Sequence, residues 1–260
     1  MRKLQIIPTE IYADYKEKLK INISKQLNEI KDEDLTIINF NFYISLSSVS
    51  SSKIEGEEMD IDSYLKYKAK QAKYQKKLTA KIDDLFNAYI FAKNNNLNYR
   101  NFLKSHAIIS KHFLDKEERG KLRTTTMVVA DNNYKISFIA AKPDIVKDEI
   151  KKLFHDIKIL INSKLSLPQI FYFASLIHLV FVTIHPMTDG NGRSARLLEK
   201  WFLATKLNEK GWFIKSELYY YKNLDAYYKN LERIRKNYEN VDYTKSISFI
   251  LMLTNSLIDE

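Results

Sequence analysis

Five glycines and four prolines are the strong helix breakers in a chain of 260 residues. With so few places to stop a helix, long helices are expected throughout. Two of the five glycines, Gly190 and Gly192, lie within three residues shortly after Pro186. A chain that concentrates its breakers in one short stretch marks a point where the backbone must do something other than coil.

The pattern predicts helices over 8–33, 62–94, 99–116, 144–163, 167–184, 192–207, 221–239 and 243–258. Residues 36–50 are rich in Ile, Phe and Ser without clean periodicity. The stretch SSVSSSKIEG, 47–56, reads as a Ser-rich lead into a short helix closed by Gly56. In YLKYKAKQAKYQKK, lysines alternate with Tyr64, Tyr67 and Tyr74, which reads as an exposed helical face with a tyrosine seam. The alternative is a basic surface on which nucleic-acid bases stack. The segment TTTMVVADNNYKISFI, 124–139, stands apart. Two β-branched runs flank Asp131-Asn132-Asn133, the pattern of a hairpin. A lone hairpin is marginal unless it packs on a helix or gains a strand, so a partner's extended segment is a natural third strand.

The run IFYFASLIHLVFVTI, 170–184, is the most apolar. Fifteen helical residues span roughly 22 Å against a hydrocarbon core of roughly 30 Å, so a buried central helix is expected and no membrane partner. The first residues are charged and lack an apolar core, so no signal peptide is expected. The absence of cysteine excludes disulfides, thiolate metal sites and cysteine nucleophiles, and it fits a reducing, cytoplasmic setting. A net charge of +10 raises nucleic-acid binding as a rival reading. Lysine dominates that excess, as on an ordinary solvated surface, and no helix-turn-helix pattern accompanies it. Nucleic acid is therefore not the expected partner, and self-association stays open.

The chemistry gathers in IHPMTDGNGRSAR, 184–196. Pro186 disfavours helical geometry at the residue before it, which puts His185 at a helix exit. Gly190 and Gly192 permit positive φ and close approach to the backbone. A new helix follows, and a glycine-rich turn at a helix N-terminus aims free N–H groups and the positive dipole end at an anion. Arg193 and Arg196 share a face at i and i+3, suiting a di- or triphosphate. Asp189 offers one carboxylate to a Mg2+ bridging phosphates. His185 is the group able to move a proton near neutral pH.

His-Pro-Met-Thr-Asp-Gly-Asn-Gly-Arg-Ser-Ala-Arg resembles the signature of the Fic-domain family, HPFx(D/E)GNGRxxR, and departs from it at Met187. His178, Phe181 and Ile184 fit the family's upstream spacing, with His178 as a core histidine. The resemblance covers residues 85–258. It implies an all-α Fic fold, a helical bundle around a central buried helix with one β-hairpin flap. It also implies transfer of AMP from ATP to a Ser, Thr or Tyr hydroxyl of a target protein. His185 would be the base and Asp189 the Mg2+ ligand. Gly190, Asn191, Gly192, Arg193 and Arg196 would bind the nucleotide, with the Asn191 side chain among the phosphate contacts. The target would dock on the 124–139 flap, although Ala140-Ala141-Lys142-Pro143 keeps only one of the family's two prolines. Tyr227 and Tyr228 read as a helix seam or as a border of the adenine.

Ser51-Ser52-Lys53-Ile54-Glu55-Gly56 resembles the family's inhibitory motif, (S/T)xxxE(G/N), as found in members with an N-terminal inhibitory helix (class II). Glu55 pairing with Arg196 would then restrain the enzyme, with Ser51, Glu55 and Gly56 as the motif residues. The expected organisation is an N-terminal helical region, 1–84, packed continuously with a catalytic core, 85–260. Removal of AMP, or transfer of UMP, phosphate or phosphocholine, is the alternative chemistry for the same site.

Overall fold

The structure is a computed structural model that describes residues 3–130, 136–234 and 237–258. Among these residues it has twelve α-helices and a two-stranded antiparallel hairpin. The first helices are α1 (Tyr12–Lys18), α2 (Ile23–Glu29), α3 (Ile37–Ile54), α4 (Ile61–Lys68), α5 (Lys76–Lys93) and α6 (Tyr99–Ile109). The hairpin strands are β1 (Val128–Ala130) and β2 (Ile136–Ile139). After them come α7 (Pro143–Asn162), α8 (Leu167–Ile184) and α9 (Asn191–Leu207). The chain closes with α10 (Ser216–Lys222), α11 (Leu224–Arg233) and α12 (Ile247–Asn255).

Helix α8 is the axis. Its first turn carries Pro168 and a Ser166–Gln169 capping box, which together start a helix cleanly. Every residue from Ile170 to Ile184 is buried, with α7, α9 and α12 packed around it. By length and composition α8 could cross a membrane, but its apolar side chains are taken up by the protein's own core. That core runs without interruption from Ile7 in the N-terminal segment to Leu253 in α12.

Several helices differ from the sequence reading. The predicted 8–33 helix is two short helices, the second capped by the Asn22 side chain accepting from Lys25 N–H at 3.0 Å. Residues 36–56, read as an irregular lead into a short helix, form one 18-residue helix, α3. Thr36 caps its start by accepting from Asn39 N–H, and the backbone turns out at Gly56. Its buried face is lined by serines, and Ser45 and Ser48 donate to the carbonyls of Asn41 and Ile44 one turn back. Those hydroxyls are satisfied within the helix, so a serine face can be buried without an apolar stripe.

The 62–94 helix breaks near Lys70, which is left-handed at φ 59. The break lets α4 fold back onto α5, where Tyr64 and Tyr67 donate to the Asp83 carboxylate at 2.8 and 2.9 Å. Tyr64 is thus fully buried and not part of an exposed seam. The 99–116 helix stops at Ile109, and the 221–239 and 243–258 helices are shorter than predicted, with α10 and α11 meeting at Asn223. The hairpin forms as expected, pairing Val128 with Ile139 and Val129 with Phe138. Its turn at Asp131-Asn132-Asn133 lies outside the described residues. Val128, Ile136 and Ile139 are exposed.

Candidate active site

Helix α8 ends on His185, whose backbone is left-handed at φ 53, ψ 59. That conformation costs a β-carbon-bearing residue about 1–3 kcal/mol and persists only where the surroundings impose it. Arg123 supplies the imposition. Its guanidinium donates Nε to His185 O at 2.7 Å, Nη1 to Thr125 O at 2.6 Å and Nη2 to Ala141 O at 2.5 Å. Its own N–H donates to Pro186 O at 2.9 Å. One planar fork of donors therefore ties both roots of the hairpin to the end of α8. The His185 Nδ1 lies 3.4 Å from Val182 O. A neutral ring donating from Nδ1 presents Nε2 as its basic nitrogen.

The loop after His185 is wired to itself. Met187 N–H donates to Asn191 Oδ1 at 2.9 Å, and Asn191 Nδ2 donates back to Met187 O at 2.8 Å. The Asn191 side chain, expected among the phosphate contacts, is instead turned inward onto the loop. Met187 is fully buried, so it fills the apolar position where the family signature has Phe. Gly190 is left-handed at φ 78, and a Cβ there would stand 3.0 Å from the Phe113 ring. Gly192, by contrast, is helical and needs no positive φ. What marks it is proximity to the Glu55 side chain, since a Cβ would fall 2.4 Å from Oε1.

His106 braces the loop from α6. Its Nδ1 accepts from Gly120 N–H at 3.0 Å, so Nε2 carries the hydrogen donated to Asp189 O at 2.9 Å. Burial pushes its pKa down to about 4, which keeps the ring neutral in that tautomer.

Helix α9 opens at this loop, with Gly190 as its N-cap and no side chain capping its first turn. Arg193 stacks over the Phe113 ring at 3.8 Å and lies 3.5 Å from Asp189 Oδ1. Its Nε is buried without a hydrogen-bond partner among the described residues. The Asp189 side chain is about half exposed (53%), so its carboxylate faces the mouth of the loop.

Arg196 points the other way along α9, into α3. It donates Nε to Ser51 Oγ at 2.8 Å and Nη2 to Ser51 O at 3.1 Å and to Glu55 Oε1 at 2.6 Å. Ser51 and Glu55 stand one turn apart on α3 and grip one guanidinium. Burial opposes ionisation of Glu55, but Arg196 and then Arg193 outweigh it and hold the carboxyl below the usual range. One turn further along, Lys200 of α9 donates to Ser47 Oγ at 2.9 Å and pairs with Glu217 at 2.6 Å, all fully buried or nearly so. The polar face of α3 is thus matched turn by turn to α9.

Behind Arg196 lies a buried chain: Tyr227, His178, Glu199 and Tyr220. His178 is a core histidine as expected, but a fully engaged one. Tyr228 donates to Ile54 O at 3.0 Å and so seats the end of α3. Sequence reasoning missed Arg123, His106 and Phe113, which lie far from the motif and carry no local signature.

The donor set for a metal is a single carboxylate, Asp189, and no cluster of three or more His, Asp or Glu suited to a metal occurs among the described residues. Such a site fits a cation shared with a ligand's phosphate oxygens and not one caged by protein alone.

Solved structures sharing the fold include a Fic family protein from Desulfovibrio desulfuricans G20, with TM-score 0.78 and 16% identity over 98% of this chain and 75% of that one. A Fic domain containing signaling protein from Bacteroides thetaiotaomicron VPI-5482 gives TM-score 0.69 and 17% identity, covering 94% of each chain. Fic-1 from C. elegans gives 0.59 and 17%, over 95% of this chain and 67% of that one. At these identities the likeness is one of fold. The Fic/DOC family model matches residues 96–203, from the loop before α6 into α9. No curated protein matches the sequence.

Proposed function

We propose that the protein is an adenylyltransferase that moves AMP from ATP to a hydroxyl side chain of a target protein, and that Glu55 restrains it. The observation that carries the reading is the turn at the start of α9, where the Arg193 guanidinium lies 3.5 Å from the half-exposed Asp189 carboxylate beside a helix N-terminus. A polyanion with phosphate oxygens suits that combination of a helix N-terminus, a guanidinium and a carboxylate that can share a cation.

In this reading the target's hydroxyl oxygen attacks the α-phosphorus as its proton passes to His185 Nε2. The new O–P bond forms as the bond to pyrophosphate breaks. The α9 amides and Arg193 stabilise the charge that develops on the phosphates. Asp189 would hold Mg2+ arriving with ATP, and the ion would neutralise phosphate charge. Arg196 belongs at the β/γ end of the nucleotide, and its pairing with Glu55 keeps it from that task. An extended target segment beside the exposed side chains of the hairpin extends it as a third strand.

The test uses Glu55→Gly with Mg·ATP and intact-mass analysis of the enzyme and of proteins in a lysate. Addition of an AMP moiety, absent when His185 is also changed to Ala, is the expected result. Addition of phosphate, UMP or phosphocholine, from the corresponding donors only, would replace AMP transfer with another chemistry at the same site.

A further inference from the structure

Of the hydrogen bonds that Arg196 donates among the described residues, three go to α3, namely to Ser51 Oγ, Ser51 O and Glu55. One goes elsewhere, from Nη1 to Tyr227 Oη of α11 at 3.3 Å. If α3 releases the guanidinium, Tyr227 is the acceptor that remains. Arg196 is 1% exposed, and a buried guanidinium stripped of acceptors would swing away.

The oxygen of Tyr227 is not a passive acceptor. Arginine only donates, so the phenol hydrogen is directed to His178 Nε2, 3.0 Å away. The His178 Nδ1–H then donates to Glu199 Oε2 at 2.9 Å, which also accepts from Tyr220 Oη at 2.8 Å. Each proton in the chain points from the arginine toward a fully buried carboxylate on the same helix α9. Donation by the phenol enriches its oxygen, making it a better acceptor for Arg196. Burial pushes the Tyr227 phenol up to about 12, so it keeps its proton at neutral pH. The chain spans α11, α8, α9 and α10 and uses buried polar groups that the transfer step leaves idle.

We infer that Tyr227, His178 and Glu199 are positioning residues that hold Arg196 in its phosphate-binding pose once Glu55 lets go. The inference rests on the nucleotide reading above and adds to it a fixed seat for the arginine that does not involve Glu55.

The test is made in the Glu55→Gly protein, where the competing carboxylate is gone and Tyr227 shares the guanidinium with Ser51. Tyr227→Phe removes one oxygen and keeps the ring. It is expected to raise the KM for ATP by about 3–10-fold, the effect of losing one such hydrogen bond. The affinity for AMP, which lacks the phosphates Arg196 addresses, stays unchanged. Glu199→Gln, remote from any ligand, is expected to move ATP in the same direction and again to spare AMP. An unchanged KM for ATP in both variants overturns the inference. So does a parallel loss of ATP and AMP affinity, the mark of a merely structural role. Failure of Glu55→Gly itself to bind ATP would overturn the nucleotide reading and this inference together.

Discussion

Glu55 Oε1 lies 2.6 Å from Arg196 Nη2, a contact between residues 141 positions apart in sequence. The carboxylate comes from the last turn of α3, and the guanidinium from the first turns of α9. Under the proposed function, inhibitor and substrate compete for one cation.

Gly192→Ala is a mild way to disturb that pair. Its Cβ would press on the Glu55 carboxylate, the far end of a flexible side chain that can move aside, and would crowd the Arg196 nitrogens at 3.2–3.3 Å. The variant should fold well, since alanine gains about 1 kcal/mol over glycine within a helix. Basal AMP transfer is expected to rise, by less than for Glu55→Gly. A rate equal to the parent's would mean that the pair tolerates the methyl group or does not limit the enzyme.

Inhibition should be insensitive to mild acid. Although burial favours the neutral acid, Arg196 and Arg193 outweigh it and depress the Glu55 pKa. The contact is therefore complete above the ordinary carboxylate range and is lost only as the pH falls through the depressed value. The ratio of wild-type to Glu55→Gly transfer should stay level from neutral pH down to about 5. A ratio rising between pH 7 and 6 would assign control to another group.

His106 sets a pH window for stability. Its folded pKa is near 4 against an ordinary value of 6.5, because burial disfavours the charged ring. The unfolded chain therefore binds a proton first as the pH falls, and folding weakens between about pH 6.5 and 4. The full effect is on the order of 3 kcal/mol. Denaturant melts of wild type and His106→Gln across that window should diverge in slope, with the variant flatter. Equal slopes would remove His106 as the source.

Arg123→Lys keeps a positive charge but not the fork. A lysine cannot reach His185 O, Thr125 O and Ala141 O together, and each buried carbonyl left unpaired costs about 1–3 kcal/mol. The expected outcome is a lower melting temperature and slower transfer, with ATP affinity retained because the α9 cradle is untouched. Unimpaired transfer in a protein of lowered stability would show that the brace serves folding alone.

The site motif was readable because its parts are consecutive: a proline that ends one helix, a glycine that turns at 190, and arginines one turn apart on the next. The long apolar run gave α8 for the same reason. Helix α3 was not readable, because buried serines stand among Phe40, Ile44 and Val49 and blur the apolar period. Tyr64 looked exposed among lysines until Asp83, 19 residues on, drew it inward. Arg123, His106 and Phe113 reach the loop only through the tertiary fold, and nothing next to them in sequence announces it.

Asn191 and the Met187 backbone bind each other in both directions, with no ligand required to hold them. Freezing a backbone residue costs about 1–2 kcal/mol of conformational freedom. In this loop that freedom is surrendered as the chain folds, under the same core that fixes α8. Under the proposed function, an incoming polyanion meets a loop already set, so little of its binding energy is diverted into stiffening the protein.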